Sequence, residues 1–166
     1  GYQDGGNINV PAGKYFIKLN MCDGRFVFKE PIEKVEETIT FNSKDKRTEY
    51  STTKQVWVEG DITVTNEKGS STSNVGDYAY PARFYKNSKL VVSVPGNMSQ
   101  IVFDCNSTKY ATALKNSIKT GGTVTVASDK VTVVLDTPAN SFVIPALTAD
   151  QVRMDGLTVT YMKELK

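Results

Sequence analysis

Two neighbouring stretches, TVTVAS (123–128) and KVTVVLD (130–136), alternate β-branched apolar residues with polar ones. This two-residue rhythm constrains the fold more than any other feature of the chain. It places every second side chain on one face of an extended strand, whereas a helix would need its apolar positions about 3.6 residues apart. The rhythm recurs in ETITF (37–41), TKQVWV (53–58), DITVTN (61–66), KLVVSV (89–94), SQIVFDC (99–105), SFVIP (141–145) and QVRMDGLTVTYM (151–162). Turn-forming residues, with Pro95-Gly96-Asn97 among them, separate these runs. Only STKYATALKNSIKTGG (107–122) departs from it. There Ala111, Leu114 and Ile118 recur at helical spacing, Asn106 or Ser107 can cap the start, and Gly121-Gly122 can end the helix. The pattern predicts an all-β protein: an antiparallel β-sandwich, jelly-roll-like, with one short helix and an N-terminal β-hairpin.

The hairpin is expected in GKYFIKLNMCDGRFVFKE (13–30), where Asp23-Gly24 suits a two-residue type I′ turn. That turn would pair Cys22 with Arg25, Met21 with Phe26 and Leu19 with Phe28. Pro31 closes the unit and the charged IEKVEE (32–37) reads as a connector. Two parts are therefore expected: a hairpin segment over 1–36, packing on or preceding a sandwich over 37–166.

Composition narrows the function. The 20 basic and 18 acidic residues leave a net charge of +2 and are interspersed without blocks, which argues against a nucleic-acid partner and against a membrane surface. No run is long and apolar enough for a transmembrane helix. Gly1 reads as a trimmed start with any targeting segment removed, a reading that fits export. The chain has no histidine, and its two cysteines, Cys22 and Cys105, fit neither a redox nor a zinc motif, so no metal or cofactor is expected. The cysteines are open to two readings, a disulfide or two separate buried thiols.

No catalytic signature appears. Serine has neither a nucleophile-elbow context nor a base, which removes acyl transfer. The carboxylate pairs Glu59 with Asp61 and Asp45 with Glu49 raise the question of a glycosidase. They sit beside Gly, Lys or Arg in turn-like segments, where solvation keeps both members ionised. Oxygen donors near Asn74 and Asp77 lack the spacing of a calcium loop. The sequons at Asn97 and Asn106 would matter only in a eukaryotic secreted protein.

Aromatic residues carry the remaining signal. NVGDYAYPARFYK (74–86) holds four rings and an arginine. On a regular strand Tyr78, Tyr80, Ala82 and Phe84 would face one way, and Arg83 and Tyr85 the other. Pro81 lacks a ladder donor and calls for an edge or a bulge. Trp57, the only tryptophan, is either a core residue or, if Val56 and Val58 face inward, an exposed platform. The Ser- and Gly-rich segment 67–77 has almost nothing to bury and reads as a binding loop or as a plain connector. Trp57, Asn74, Asp77, Tyr78, Arg83 and Tyr85 are thus the candidate ligand-binding residues, with rings to stack on a sugar and polar groups to bond it.

The order of blocks from TEYSTTKQVWVEGDITVTNEKGSSTSNVGDYAYPARFYKNSKLVVSVPG through QIVFDCNSTKYATALKNSI to QVRMDGLTVTY resembles an accessory β-sandwich module of surface and secreted proteins of gut Bacteroidetes. The resemblance spans roughly residues 38 to 162. The preceding PAGKYFIKLNMCDGRFVFKE is similar to hairpins of starch-utilisation outer-membrane lipoproteins. The resemblance implies a non-enzymatic, exported module, lipid-anchored at the cell surface or periplasmic, with carbohydrate as its partner. It transfers no ligand residues. The alternative is a structural or adhesive spacer contacting protein partners.

Overall fold

The computed structural model describes residues 17–19, 26–28, 32–149 and 151–164. Its strands are β1 (Ile17–Leu19), β2 (Phe26–Phe28), β3 (Ile32–Thr40), β4 (Arg47–Tyr50), β5 (Lys54–Glu59), β6 (Ile62–Glu67), β7 (Ala82–Tyr85), β8 (Lys89–Cys105), β9 (Gly122–Ala127), β10 (Lys130–Ile144) and β11 (Gln151–Glu164). Among the described residues there is one α-helix, α1 (Thr108–Ser117), between β8 and β9. The chain divides into two compact units, Gly1–Glu33 with Glu164–Lys166, and Lys34–Lys163.

In the first unit β1 and β2 pair antiparallel, Leu19 opposite Phe26 and Ile17 opposite Phe28. The expected pairing of Leu19 with Phe28 is therefore offset by two residues, and the Asp23-Gly24 turn lies outside the described residues. The connector expected at 32–37 is instead part of β3, which joins the main sheet beside β11. Charged side chains do not prevent this, because the strand leaves most of them exposed and turns Ile39 inward.

The second unit carries the architecture. Nine strands form one connected antiparallel sheet ordered β3-β11-β8-β6-β5-β4, with β10 also on β8, β9 on β10 and β7 on β11. Two breaks expected in the sequence are bridged. KLVVSV and SQIVFDC are a single strand, β8, and KVTVVLD continues through Thr137-Pro138 into SFVIP as β10. Pro95 causes no break because it lies where β8 changes neighbours and the ladder is bulged, a place that tolerates a missing donor. Before it β8 pairs with β6, and after it with β11. Gly96 belongs at this crossing: a Cβ there would lie 1.9 Å from the Met162 carbonyl oxygen.

Long strands that change neighbours curl the sheet, so its inward faces meet in one core. There the Trp57 ring lies edge-on to Phe41 at 5.3 Å and to Phe84 at 5.7 Å. Ile62, Val64, Leu90, Ile101, Phe103, Val131, Val133, Leu157 and Val159 continue the core. Helix α1 forms where its spacing predicts, with Ser107 as N-cap and Ala111 and Leu114 buried against the sheet, but it ends at Ser117 with Ile118 as C-cap, short of the expected Gly121-Gly122 stop, and Gly122 already belongs to β9. Cys105 is a free thiol in this core, and burial pushes its pKa up to about 12. Cys22 lies outside the described residues. Among the described residues no helix is long and apolar enough to cross a membrane.

Candidate functional site

Strand β5 decides the fate of Trp57. Gln55 and Trp57 point inward while Val56 and Val58 point outward, so Trp57 is 0% exposed. The ring is a core element and offers no ligand platform, which corrects its place among the candidates. The physical reason is area: one indole buries more surface than either valine, and the strand's parity then carries Gln55 inward as well. Gln55 is accommodated by hydrogen bonding. Its Nε2 donates to Asn66 Oδ1 (3.3 Å), and Asn66 Nδ2 donates to Ser88 Oγ (3.0 Å) and the Lys89 carbonyl (3.1 Å).

The aromatic stretch is not one strand. Ala79 bridges to Ala82 around a tight turn at Tyr80-Pro81, whose peptide bond is cis, and β7 begins only at Ala82. Alternation is reset at that turn. Ala79, Ala82 and Phe84 enter the core, whereas Tyr78 and Tyr80 are 43% and 55% exposed. The expectation that Tyr78 and Tyr80 share a face with Phe84 thus fails at the turn. Arg83 and Tyr85 do lie on the outward face of β7, half-buried.

Around that face a cluster assembles. The Arg83 guanidinium carbon lies 3.6 Å from the centre of the Tyr78 ring, a close cation–π stack. Gly76 runs against both tyrosines: a Cβ there would sit 2.9 Å from the Tyr85 hydroxyl and 3.1 Å from Tyr78 Cδ2, so no larger residue fits without moving a ring. Segment 74–78 is anchored, contrary to the expectation of a loop with nothing to bury. Val75 is buried, its amide donates to the Thr52 carbonyl (2.8 Å), and its carbonyl accepts from the Tyr50 hydroxyl (3.2 Å). Arg47 donates to Asp77 and holds that carboxyl below the usual range, while its guanidinium stacks on Tyr50 at 4.4 Å. Asn74 accepts from Lys68 Nζ (3.1 Å) and is exposed.

The orphaned polar atoms are in the same neighbourhood. Among the described residues, four buried side-chain atoms lack a partner: Arg47 Nη1, Gln55 Oε1, Trp57 Nε1 and Arg83 Nε. Their residues adjoin one another. Arg47 stands opposite Trp57 across β4 and β5, Gln55 bonds the Arg83 carbonyl, and Trp57 packs on Phe84. Buried polar groups are normally paired, so the four orphaned atoms set this part of the sheet apart among the described residues.

Sequence reasoning missed Arg47 and Tyr50, and also Arg153, which stands directly opposite Arg83 in the β7–β11 ladder. The alternation of Val152 and Met154 around it signals an outward residue, but the pairing that brings Arg153 to Arg83 is between segments about seventy positions apart and leaves no local trace.

The carboxylate pair Glu59 and Asp61 is tied into the sheet. Burial pushes the Glu59 carboxyl up, but its bonds from Lys46 and from the Thr40 amide outweigh this and leave it lowered. Asp61 is lowered chiefly by Lys163 and then by the Tyr161 hydroxyl (2.9 Å), which also reaches Glu37 at 3.0 Å. Neither is the raised-pKa acid that glycoside cleavage requires. Among the described residues no group of three or more acidic or sulfur-bearing side chains is arranged to hold a metal. No family model, curated protein or solved structure matched this chain.

Proposed function

We propose that this chain is a non-catalytic glycan-capture module, exported to a bacterial cell surface or the periplasm, with the Tyr78 and Tyr85 rings and Arg83 as its sugar platform. The curled sheet serves as a sandwich-like scaffold, and a lipid anchor elsewhere in the full-length protein tethers it. One observation carries the reading: an exposed tyrosine ring is held flat by a guanidinium that has no carboxylate partner among the described residues. A ring backed in this way is presented with little conformational freedom left to lose when a sugar stacks on it. Asp77 and Asn74 border the platform with acceptors for sugar hydroxyls. The resemblance to accessory modules of glycan-uptake proteins supports the same reading.

Affinity electrophoresis against a panel of polysaccharides tests it. At least one polymer should retard the protein, and Tyr78→Ala combined with Tyr85→Ala should weaken that retardation about tenfold, the equivalent of about 1.4 kcal/mol. Unchanged retardation in the double variant removes the platform.

Burial of Trp57 favours a second reading, because it withdraws the largest ring from the surface. In that reading the sheet is a spacer whose exposed tyrosines contact a protein partner. Failure of every polysaccharide to retard the protein would select it.

A further inference from the structure

We infer that the platform takes an acidic saccharide, its anionic group held between Arg83 and Arg153. This rests on the glycan reading above and names the class of sugar.

The two arginines are cross-strand partners on the outward face of β7 and β11, each flanked in sequence by fully buried residues. Like charges directly opposite one another are unfavourable, and a sheet normally separates them or sets a carboxylate between them. Here neither guanidinium has an ion pair among the described residues. Arg83 makes no side-chain hydrogen bond there, and its Nε is buried without a partner. Arg153 donates from Nε to Gln151 Oε1 (3.0 Å), which fixes its orientation and leaves its two terminal nitrogens for another acceptor.

Each guanidinium is also flanked by a ring. Tyr78 stacks on Arg83, and the Tyr110 ring of α1 lies 5.5 Å from the Arg153 guanidinium carbon, with Lys109 Nζ at 6.0 Å from the same ring. Beside Arg153 opens a cleft of about 370 Å³ lined by Lys109, Tyr110, Ala113, Thr148, Ala149 and Gln151. The cleft thus shares Gln151 and Tyr110 with the contacts of Arg153. Its volume falls at the lower end for ligand sites. Two forked donors, a lysine and flanking rings suit a sugar ring that bears a planar anionic group, which a guanidinium bonds through two parallel hydrogen bonds. A carboxylate matches that geometry directly. Sulfate esters share the chemistry, and the test separates the two.

The test compares retardation by polygalacturonate, by its methyl ester, by dextran and by dextran sulfate. Polygalacturonate should bind best, and esterification, which keeps the sugar and removes the charge, should weaken binding at least tenfold. Arg153→Gln and Arg83→Gln should do the same, whereas Lys89→Gln, on another strand, should change nothing. Arg153→Lys keeps the charge without the fork and should recover only part of the binding. Circular dichroism of each variant establishes that it is folded. Equal binding of polygalacturonate and its ester, unaffected by either arginine, overturns the acidic-sugar assignment while the glycan reading survives. Stronger binding of dextran sulfate overturns the carboxylate in favour of sulfate. If no polymer binds, the glycan reading itself falls, and this assignment with it.

Discussion

The β7–β11 ribbon has two faces that obey different rules. Inward, Ala82, Phe84, Val152 and Met154 are wholly buried in the common core, and Phe84 packs edge-on against Trp57. Outward, the same four-residue pairing sets Arg83 against Arg153 and Tyr85 against Gln151, with an unpartnered buried nitrogen and two like charges. The inner face contains what a stable sheet requires. The outer face holds what a stable sheet would avoid, so changes on the inner face test the fold and changes on the outer face test the proposed site.

The contrast breaks first, and most visibly, on the inner face. Phe84→Ala should destabilise the protein by about 3–5 kcal/mol through lost burial and the cavity left against Trp57. Urea denaturation followed by fluorescence of Trp57, the only tryptophan, reads this directly. A cost under about 1 kcal/mol would place Phe84 outside the core.

On the outer face the same kind of change should reach binding rather than folding. Gly76→Ala pushes a methyl group into Tyr85 and Tyr78. It should weaken polysaccharide retardation about tenfold, or about 1.4 kcal/mol, with a much smaller change in the urea midpoint. Equal losses in both measurements would make Gly76 a folding residue only.

How much of this is legible in the sequence depends on distance along the chain. Strands β6 and β9 and helix α1 follow from local periodicity, since each element's own residues fix which face is apolar, and for β5 the periodicity fixes only that a strand is there. The direction in which β5 faces is not legible locally: two valines argue one way and one tryptophan the other, and burying the larger indole also requires Asn66, on the next strand, to receive Gln55. Strict alternation misplaces Tyr78 and Tyr80 because a turn at Tyr80-Pro81 resets it. Pro95-Gly96 reads as punctuation yet lies inside a strand, since a bulge at a change of neighbours tolerates what a regular ladder would not. The Arg83–Arg153 pair, on which the proposed acidic-sugar site depends, is a matter of register between distant segments.

A sharper form of the comparison is Arg153→Gln. Removing one of two like charges set opposite each other in the ladder should leave the fold as stable or more stable, by roughly 0.2–1 kcal/mol, while binding of an acidic polymer is lost. A clear loss of stability in urea would instead make Arg153 a structural residue.

The smallest expected effect comes from pH. Three carboxyls are held below their ordinary values: Asp77 by Arg47, Asp61 by Lys163, and Glu59, against the upward push of its burial, by Lys46 and the Thr40 amide. In the unfolded chain, with carboxyl pKa values of about 3.9–4.3, these groups take up protons first as pH falls. Their contribution is therefore complete above that range and is lost as pH drops through the lower folded values. The thermal midpoint should be level near neutrality and decline below about pH 4.5. Asp77→Asn should flatten part of that decline.

The most direct test of the outward face as a ligand surface is amide chemical-shift mapping of the labelled protein during titration with galacturonate oligomers. Shifts should concentrate at Tyr78, Arg83, Tyr85, Gln151 and Arg153, with the Trp57 indole unperturbed. Shifts scattered over the rest of the sheet, or none at concentrations that retard the protein in polygalacturonate gels, would contradict that role.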